Sequence, residues 1–166
     1  VRDPRDVLIS YSNYLNEHID ETLKTMLSDQ SYEAGEFKKN IYKKSIMGSW
    51  SSHYNSWKRY KSRDTIIIKY EDMACNTHDT FFRVLNYLKK ITNLEINEKK
   101  MINAINQTSF KNLKKLELTE GFKENSSINQ FFRKGMVGEW KKKLNKEQVQ
   151  KIEEAFKDEM IELGYL

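Results

Sequence analysis

The sequence has one cysteine, one proline, six glycines and no long hydrophobic run. A lone Cys75 rules out an intramolecular disulfide and any cysteine-based zinc cluster, and it fits a reducing compartment. His18, His78 and Cys75 are scattered, with no metal-ligand spacing, so no metal site is expected. Apolar runs such as Ile66, Ile67 and Ile68 are far too short to cross a bilayer, and no signal-peptide pattern precedes the first charged cluster. A chain without a membrane span, in the cytoplasm, is therefore expected. There is no Walker-type glycine loop, no Gly-x-Ser-x-Gly elbow, no zinc-finger pattern, no internal repeat and no low-complexity segment.

What is present is a globular composition with a basic excess. The 166 residues suit one domain, and 38% hydrophobic with 12% aromatic content is enough to build a core. A formal charge of +5 favours an anionic partner, whether nucleic acid, nucleotide or membrane surface.

Helix signals dominate the pattern. Asp3 can cap a helix, Pro4 suits its first position, and Asp6 three residues after the cap matches a capping box. Val7, Leu8, Tyr11, Tyr14 and Leu15 follow at helical spacing. Further helices are predicted at Asp20 to Ser28, GSWSSHYNSWKRY, THDTFFRVLNYLKKI, NEKKMINAIN, SFKNLKKLE and KEQVQKIEEAFKDEMIEL. SYEAGEFKKN reads as a loop, and GFKENSSINQFFRKGMVGEW as a long one of the kind that is usually functional or mobile. DTIIIKYED is the one clear strand. A strand leading straight into a helix, there and again at Val1, leaves two architectures open. One is a helical domain with a minor sheet; the other is the later part of a parallel α/β domain.

Three clusters could carry chemistry. VRDPRD places arginines at a helix N-terminus, where N–H groups and the dipole favour an anion, although from spacing alone Arg2 and Arg5 are read first as pairing with neighbouring carboxylates. FFRKGMVGEW offers the Arg133 fork, the Lys134 ammonium and glycines that permit close backbone approach to an anion. In GSWSSHYNSW, His53 is read as a packed, hydrogen-bonded core residue rather than a general base. Tyr70, just past the strand, is a candidate ligand contact, while Glu71 and Asp72 are read as starting the next helical turn. SFKNLKKLE is basic and amphipathic, but its aromatics are not interleaved as stacking platforms for nucleic acid.

In order along the chain, RDPRDVLIS, GSWSSH, KYEDM, TSFK and RKGMVGEW resemble the motifs of the cytosolic-type sulfotransferases that use 3′-phosphoadenosine 5′-phosphosulfate (PAPS). The resemblance covers nearly the whole chain, and RKGMVGEW is its most specific element. It implies an α/β fold: the C-terminal portion of a P-loop-like parallel-sheet sulfotransferase domain, mostly helical in this part, with residues 1–166 forming one domain that is incomplete at its N-terminus. It implies that Arg2 and Ser10 hold the 3′-phosphate of PAPS or of the product 3′-phosphoadenosine 5′-phosphate (PAP). Arg133, Lys134 and Gly135 would close on the same phosphate, and Tyr70, Thr108 and Phe110 would line the adenine. Ser10 lies seven residues beyond Asp3, roughly 10 Å along a helix, so a phosphate touching both Arg2 and Ser10 would sit on the helix flank.

The resemblance also marks departures. The family's 5′-phosphosulfate loop and catalytic histidine precede the position of Val1, so no catalytic residue is expected within the chain. Met47 stands where animal enzymes often carry a tyrosine near the acceptor pocket, so the small-molecule acceptor stays open. Asn145, Lys146 and Gln150 replace the Thr, Val and Glu of the family's dimer motif, which leaves the oligomeric state open too. The alternatives carried beside this reading are a basic helical nucleic-acid-binding module and a non-catalytic sulfotransferase fragment.

Overall fold

Asp3 opens the first helix as its sequence suggests: its carboxylate accepts the Arg5 backbone N–H at 2.9 Å, and Pro4 occupies the first helical position. The structure, a computed structural model, describes residues 1–35, 43–60, 65–122 and 130–166. These fall into two compact units, one of residues 3–64 and 139–166, the other of residues 1–2 and 65–138.

The first unit is built on α1 (Pro4–Leu15), α2 (Ile19–Leu27), α3 (Trp50–Lys58), α8 (Trp140–Lys143), α9 (Lys146–Ala155) and α10 (Lys157–Glu162). Its core joins Leu8 of α1, Leu23 and Met26 of α2, Ile152 of α9, Met160 of α10, and Phe156 between the last two helices. Each such side chain, fully buried, contributes roughly 1.5–3 kcal/mol. Trp50 packs its ring on Phe156 at 5.4 Å between centroids. The segment expected as one C-terminal helix is thus two, because Phe156 leaves helical geometry (φ −119°, ψ 22°) at the residue whose ring is sunk in this core. α9 starts with a full capping box between Asn145 and Gln148, and the buried Gln148 amide also donates to Asp20 at 2.7 Å. Two residues of the altered dimer-motif segment therefore have work within their own unit.

SYEAGEFKKN was expected to be a loop. Instead Tyr32–Gly35 forms β1, which pairs antiparallel with β2 (Lys43–Ile46) in the register Tyr32 to Ile46. Residues 36–40 of that stretch lie outside the described residues. Only the end pair, Tyr32 and Ile46, has strand preference; Glu, Ala, Gly and Lys have little, so the pairing leaves a weak local sequence signal.

Polar bonds join α3 to α10. Glu159 accepts from Ser51 at 2.7 Å and from Asn55 at 2.6 Å, and Glu162 accepts from Lys58 at 2.6 Å. Burial pushes the Glu159 carboxyl up, but the Ser51 and Asn55 hydrogen bonds outweigh it and hold the group below the usual carboxylate range. A depressed carboxyl stabilises the fold above its unfolded pKa and loses that contribution as pH falls through the folded one. Stability measured by denaturant titration is therefore expected to fall below about pH 4, near the ordinary glutamate value. Glu159→Gln should flatten that slope, and an unchanged slope would remove Glu159 as a contributor.

The second unit carries α4 (Tyr70–Cys75), α5 (Thr77–Ile91), α6 (Glu98–Gln107) and α7 (Phe110–Glu120). The expected strand DTIIIKYED is corrected: Asp64 lies outside the described residues, Thr65 to Lys69 form no assigned strand, and Tyr70 already begins α4, with Glu71 and Asp72 in its first turn. Lys69, at the end of the β-branched run, has extended backbone at φ −86° and ψ 139°. A ladder also needs a partner, and Val1 supplies a single rung. Val1 N donates to Ile68 O and Tyr70 N donates to Val1 O, both at 2.8 Å. Two bonds from one residue that straddle Lys69 in this way have the slanted pattern of a parallel pair. Among the described residues, the only assigned sheet is the antiparallel β1–β2 pair.

α5 has the predicted apolar stripe, with Phe81, Val84 and Leu85 half-buried but Leu88 and Ile91 exposed. Met101 of α6 is the one buried hydrophobic residue described in this unit. Among the described residues, no helix is long and apolar enough to cross a membrane.

Candidate functional site

The two arginines of RDPRD have separate jobs. Arg5 belongs to the first unit and is 7% exposed in its side chain. Its guanidinium bonds Asp3 at 2.8 Å, Glu153 at 2.6 Å and the Tyr165 carbonyl at 2.9 Å, and it lies 4.0 Å over the Trp140 ring. Burial lowers the Arg5 pKa, but the hydrogen bonds and charges of Asp3 and Glu153 outweigh it, and the group stays above its ordinary value. The carboxylate-pairing alternative is therefore the one realised for Arg5. Asp6 is buried and accepts the Trp140 backbone N–H at 2.9 Å, so its carboxylate is engaged by α8.

Arg2 belongs to the second unit. Its guanidinium stacks 4.3 Å over the Tyr70 ring, and Nη2 donates to the Met136 carbonyl at 2.8 Å. A side chain from the opening stretch thus touches both KYEDM and RKGMVGEW.

TSFK joins them through Phe110. Gly135 has φ +62°, in the left-handed region that favours glycine, and it lies directly against the Phe110 ring. A Cβ at Gly135 would come within 2.5 Å of Phe110 Cδ2. Phe110 in turn meets Phe132 edge-on, at 6.3 Å between centroids. Thr108 ends α6, donating its hydroxyl to the Ala104 carbonyl at 2.8 Å, and is exposed. Arg133 is half-buried, and its carbonyl accepts from Lys114 Nζ at 3.2 Å, while Lys134 is exposed. Of the residues the resemblance singles out, only Ser10 lies in the other unit, exposed on α1.

One participant escaped the sequence reading. Glu117 of α7 accepts the Phe131 N–H at 2.6 Å through one oxygen and the Phe132 N–H at 2.9 Å through the other. Within KKLELTE it looks like one more solvated charge. His53 needs correction as well: it is exposed, not a core residue, and its imidazole meets Trp57 Nε1 at 3.4 Å. Tyr54 takes the buried position on that helix instead. No group of side chains that could hold a metal occurs among the described residues. A cavity of about 420 Å³, lined by Asp29, Ser49, Ser52, Asn55 and Arg59, lies in the first unit and includes none of the cofactor candidates.

Comparison with known proteins gives this geometry a family. The sulfotransferase domain model matches residues 1–164, and the chain belongs to that family. Among curated relatives, the amine sulfotransferase of Oryctolagus cuniculus is 25% identical over 168 residues, covering 96% of this chain and 52% of its own length. Sulfotransferase 1C2 of Homo sapiens is 26% identical, with the same coverage of both chains. Cytosolic sulfotransferase 15 of Arabidopsis thaliana is 28% identical over 96% of this chain and 45% of its own. The chain spans about half the length of the curated relatives it matches. Among solved structures, mouse sulfotransferase SULT7A1 complexed with PAP aligns with a TM-score of 0.68 at 23% identity, covering 96% of this chain and 56% of that one. Retinol dehydratase in complex with androsterone and inactive cofactor PAP aligns at 0.67 and 17% identity, over 96% and 46%. The fold is that of a sulfotransferase portion.

Proposed function

We propose that this chain forms the 3′-phosphate and adenine side of a PAPS site, as part of one domain of a cytoplasmic sulfotransferase with a parallel sheet. The observation that carries the reading is the meeting of four separate motifs in one unit: Arg2 on Tyr70 and Met136, and Gly135 on Phe110. The residues fit the group. The absent Cβ of Gly135 lets the loop backbone lie directly on the Phe110 ring, and Arg133 and Lys134 immediately precede it in sequence with two positive charges.

When bound, PAPS supplies the sulfuryl group for a hydroxyl or amine of a small-molecule acceptor. This chain's residues bind and orient. Arg2, Arg133 and Lys134 neutralise phosphate charge, the Gly135 N–H adds a short backbone contact, and Tyr70, Thr108 and Phe110 line the adenine. Holding the donor in one pose contributes to rate through positioning. The 5′-phosphosulfate loop and the base that deprotonates the acceptor are assigned to sequence outside these 166 residues.

Arg133→Ala is expected to weaken PAP binding by about 1.5–3 kcal/mol, the scale of a hydrogen bond to a charged group, when calorimetry is run on the protein expressed from its complete gene. Unchanged affinity would remove Arg133 from the site.

A further inference from the structure

The loop that carries Arg133 is held by one face of α7. Phe110, Lys114 and Glu117 recur at the spacing that puts residues on one side of a helix. Each grips a different point of the loop: Phe110 lies under Gly135, Lys114 donates to the Arg133 carbonyl, and Glu117 takes the N–H groups of Phe131 and Phe132. The Glu117 contact is the most directional of the three. Two successive peptide N–H groups pointing the same way form a small anion-binding concavity, and here a carboxylate of the chain fills it, one oxygen to each donor. Bonds of this charge-assisted, two-point kind fix orientation as well as distance. They set the peptide planes that carry the Phe131 and Phe132 N–H groups, one residue short of Arg133. A turn from the Arg133 N–H to the Phe131 carbonyl, at 2.9 Å, carries that orientation one residue further.

We propose that Glu117 is a positioning residue for the cofactor loop, holding residues 131–133 so that Arg133 is presented to the 3′-phosphate. This rests on the cofactor reading above. Glu117 is negative and would repel a phosphate if it touched one, so its action runs through the backbone. Without it, the loop samples other conformers, and apparent affinity falls by the fraction that remains competent to bind. The effect is selective: the 3′-phosphate requires the loop in place, whereas an adenosine 5′-monophosphate, lacking that phosphate, does not.

The test titrates PAP and adenosine 5′-monophosphate by calorimetry into the wild type, Glu117→Ala, Glu117→Gln and Arg133→Ala, each in the protein expressed from its complete gene. Glu117→Ala is expected to weaken PAP binding about tenfold with the monophosphate affinity unchanged. Glu117→Gln, whose carbonyl oxygen can still accept an N–H, should recover part of the loss. If Arg133→Ala loses PAP affinity while both Glu117 variants keep it, the positioning role is wrong and the cofactor reading stands. Equal weakening of both nucleotides would mean a general structural defect and would also overturn the proposal. If Arg133→Ala changes nothing, Arg133 is out of the site and the positioning role falls with it; if the wild type binds PAP no more tightly than the monophosphate, the cofactor reading itself fails. Should Glu117→Ala not fold, the same comparison on Glu117→Gln decides, since unaltered PAP affinity there refutes the role.

Discussion

Gly135→Ala is expected to weaken PAP binding by about 100-fold, on the scale of losing the Arg133 side chain. Two costs combine. The left-handed backbone at φ +62° penalises a Cβ by about 1–2 kcal/mol. The added methyl would also lie 2.5, 2.7 and 2.9 Å from three carbons of the Phe110 ring. Overpacking of that kind costs about 1–3 kcal/mol, and the ring cannot retreat freely because Phe132 stands edge-on beside it. Relief requires the loop to move away from Phe110, which withdraws Arg133 and the Gly135 N–H together. Gly138, also at positive φ, has nothing within 4 Å of its would-be Cβ. Gly138→Ala therefore tests backbone strain without the clash and should have the smaller effect. Equal effects at the two positions would show that the Phe110 contact does not matter.

Arg5→Met is expected to destabilise the protein by about 3–5 kcal/mol, the usual cost of removing one partner from a buried ion pair. Asp3, itself buried, would lose the fork that meets both its oxygens, and the Trp140 ring would lose the cation stacked on it. Glu153 is about a third exposed, so water would screen part of its loss. The double variant Asp3→Asn with Arg5→Met removes both opposed charges and should recover much of the stability, because the penalty comes from an uncompensated charge. Urea unfolding of the two variants settles the point. A loss under about 1 kcal/mol in the single variant would place Arg5 with ordinary surface pairs.

RDPRD shows how far the sequence could be read and where it stopped. Cap, first helical proline and apolar stripe are local properties, so α1 was legible, and α5 and α7 were legible for the same reason. The division of labour between Arg2 and Arg5 was not. Spacing leaves both free to pair with carboxylates or to bind an anion, and the choice is made by partners more than a hundred residues away: Glu153 and Tyr165 for Arg5, Met136 for Arg2. Glu117 was hidden in the same way, since its N–H donors lie fourteen and fifteen residues on, in a loop with no helical or strand period. The β-branched run after Asp64 pointed to a strand where none is assigned, because a ladder needs a partner strand that no local pattern supplies. His53 was placed in the core by its aromatic neighbours, yet on α3 it is Tyr54 that faces inward.

The central claim is that this chain recognises a 3′-phosphate next to an adenine. Calorimetric titration of the protein expressed from its complete gene with PAP and with adenosine 5′-monophosphate, at one salt concentration, tests it most directly. The two ligands differ only in the 3′-phosphate, for which the account supplies Arg2, Arg133, Lys134 and the Gly135 N–H. PAP is expected to bind at least about tenfold more tightly, the equivalent of one hydrogen bond to a charged group. Equal affinities would contradict the account.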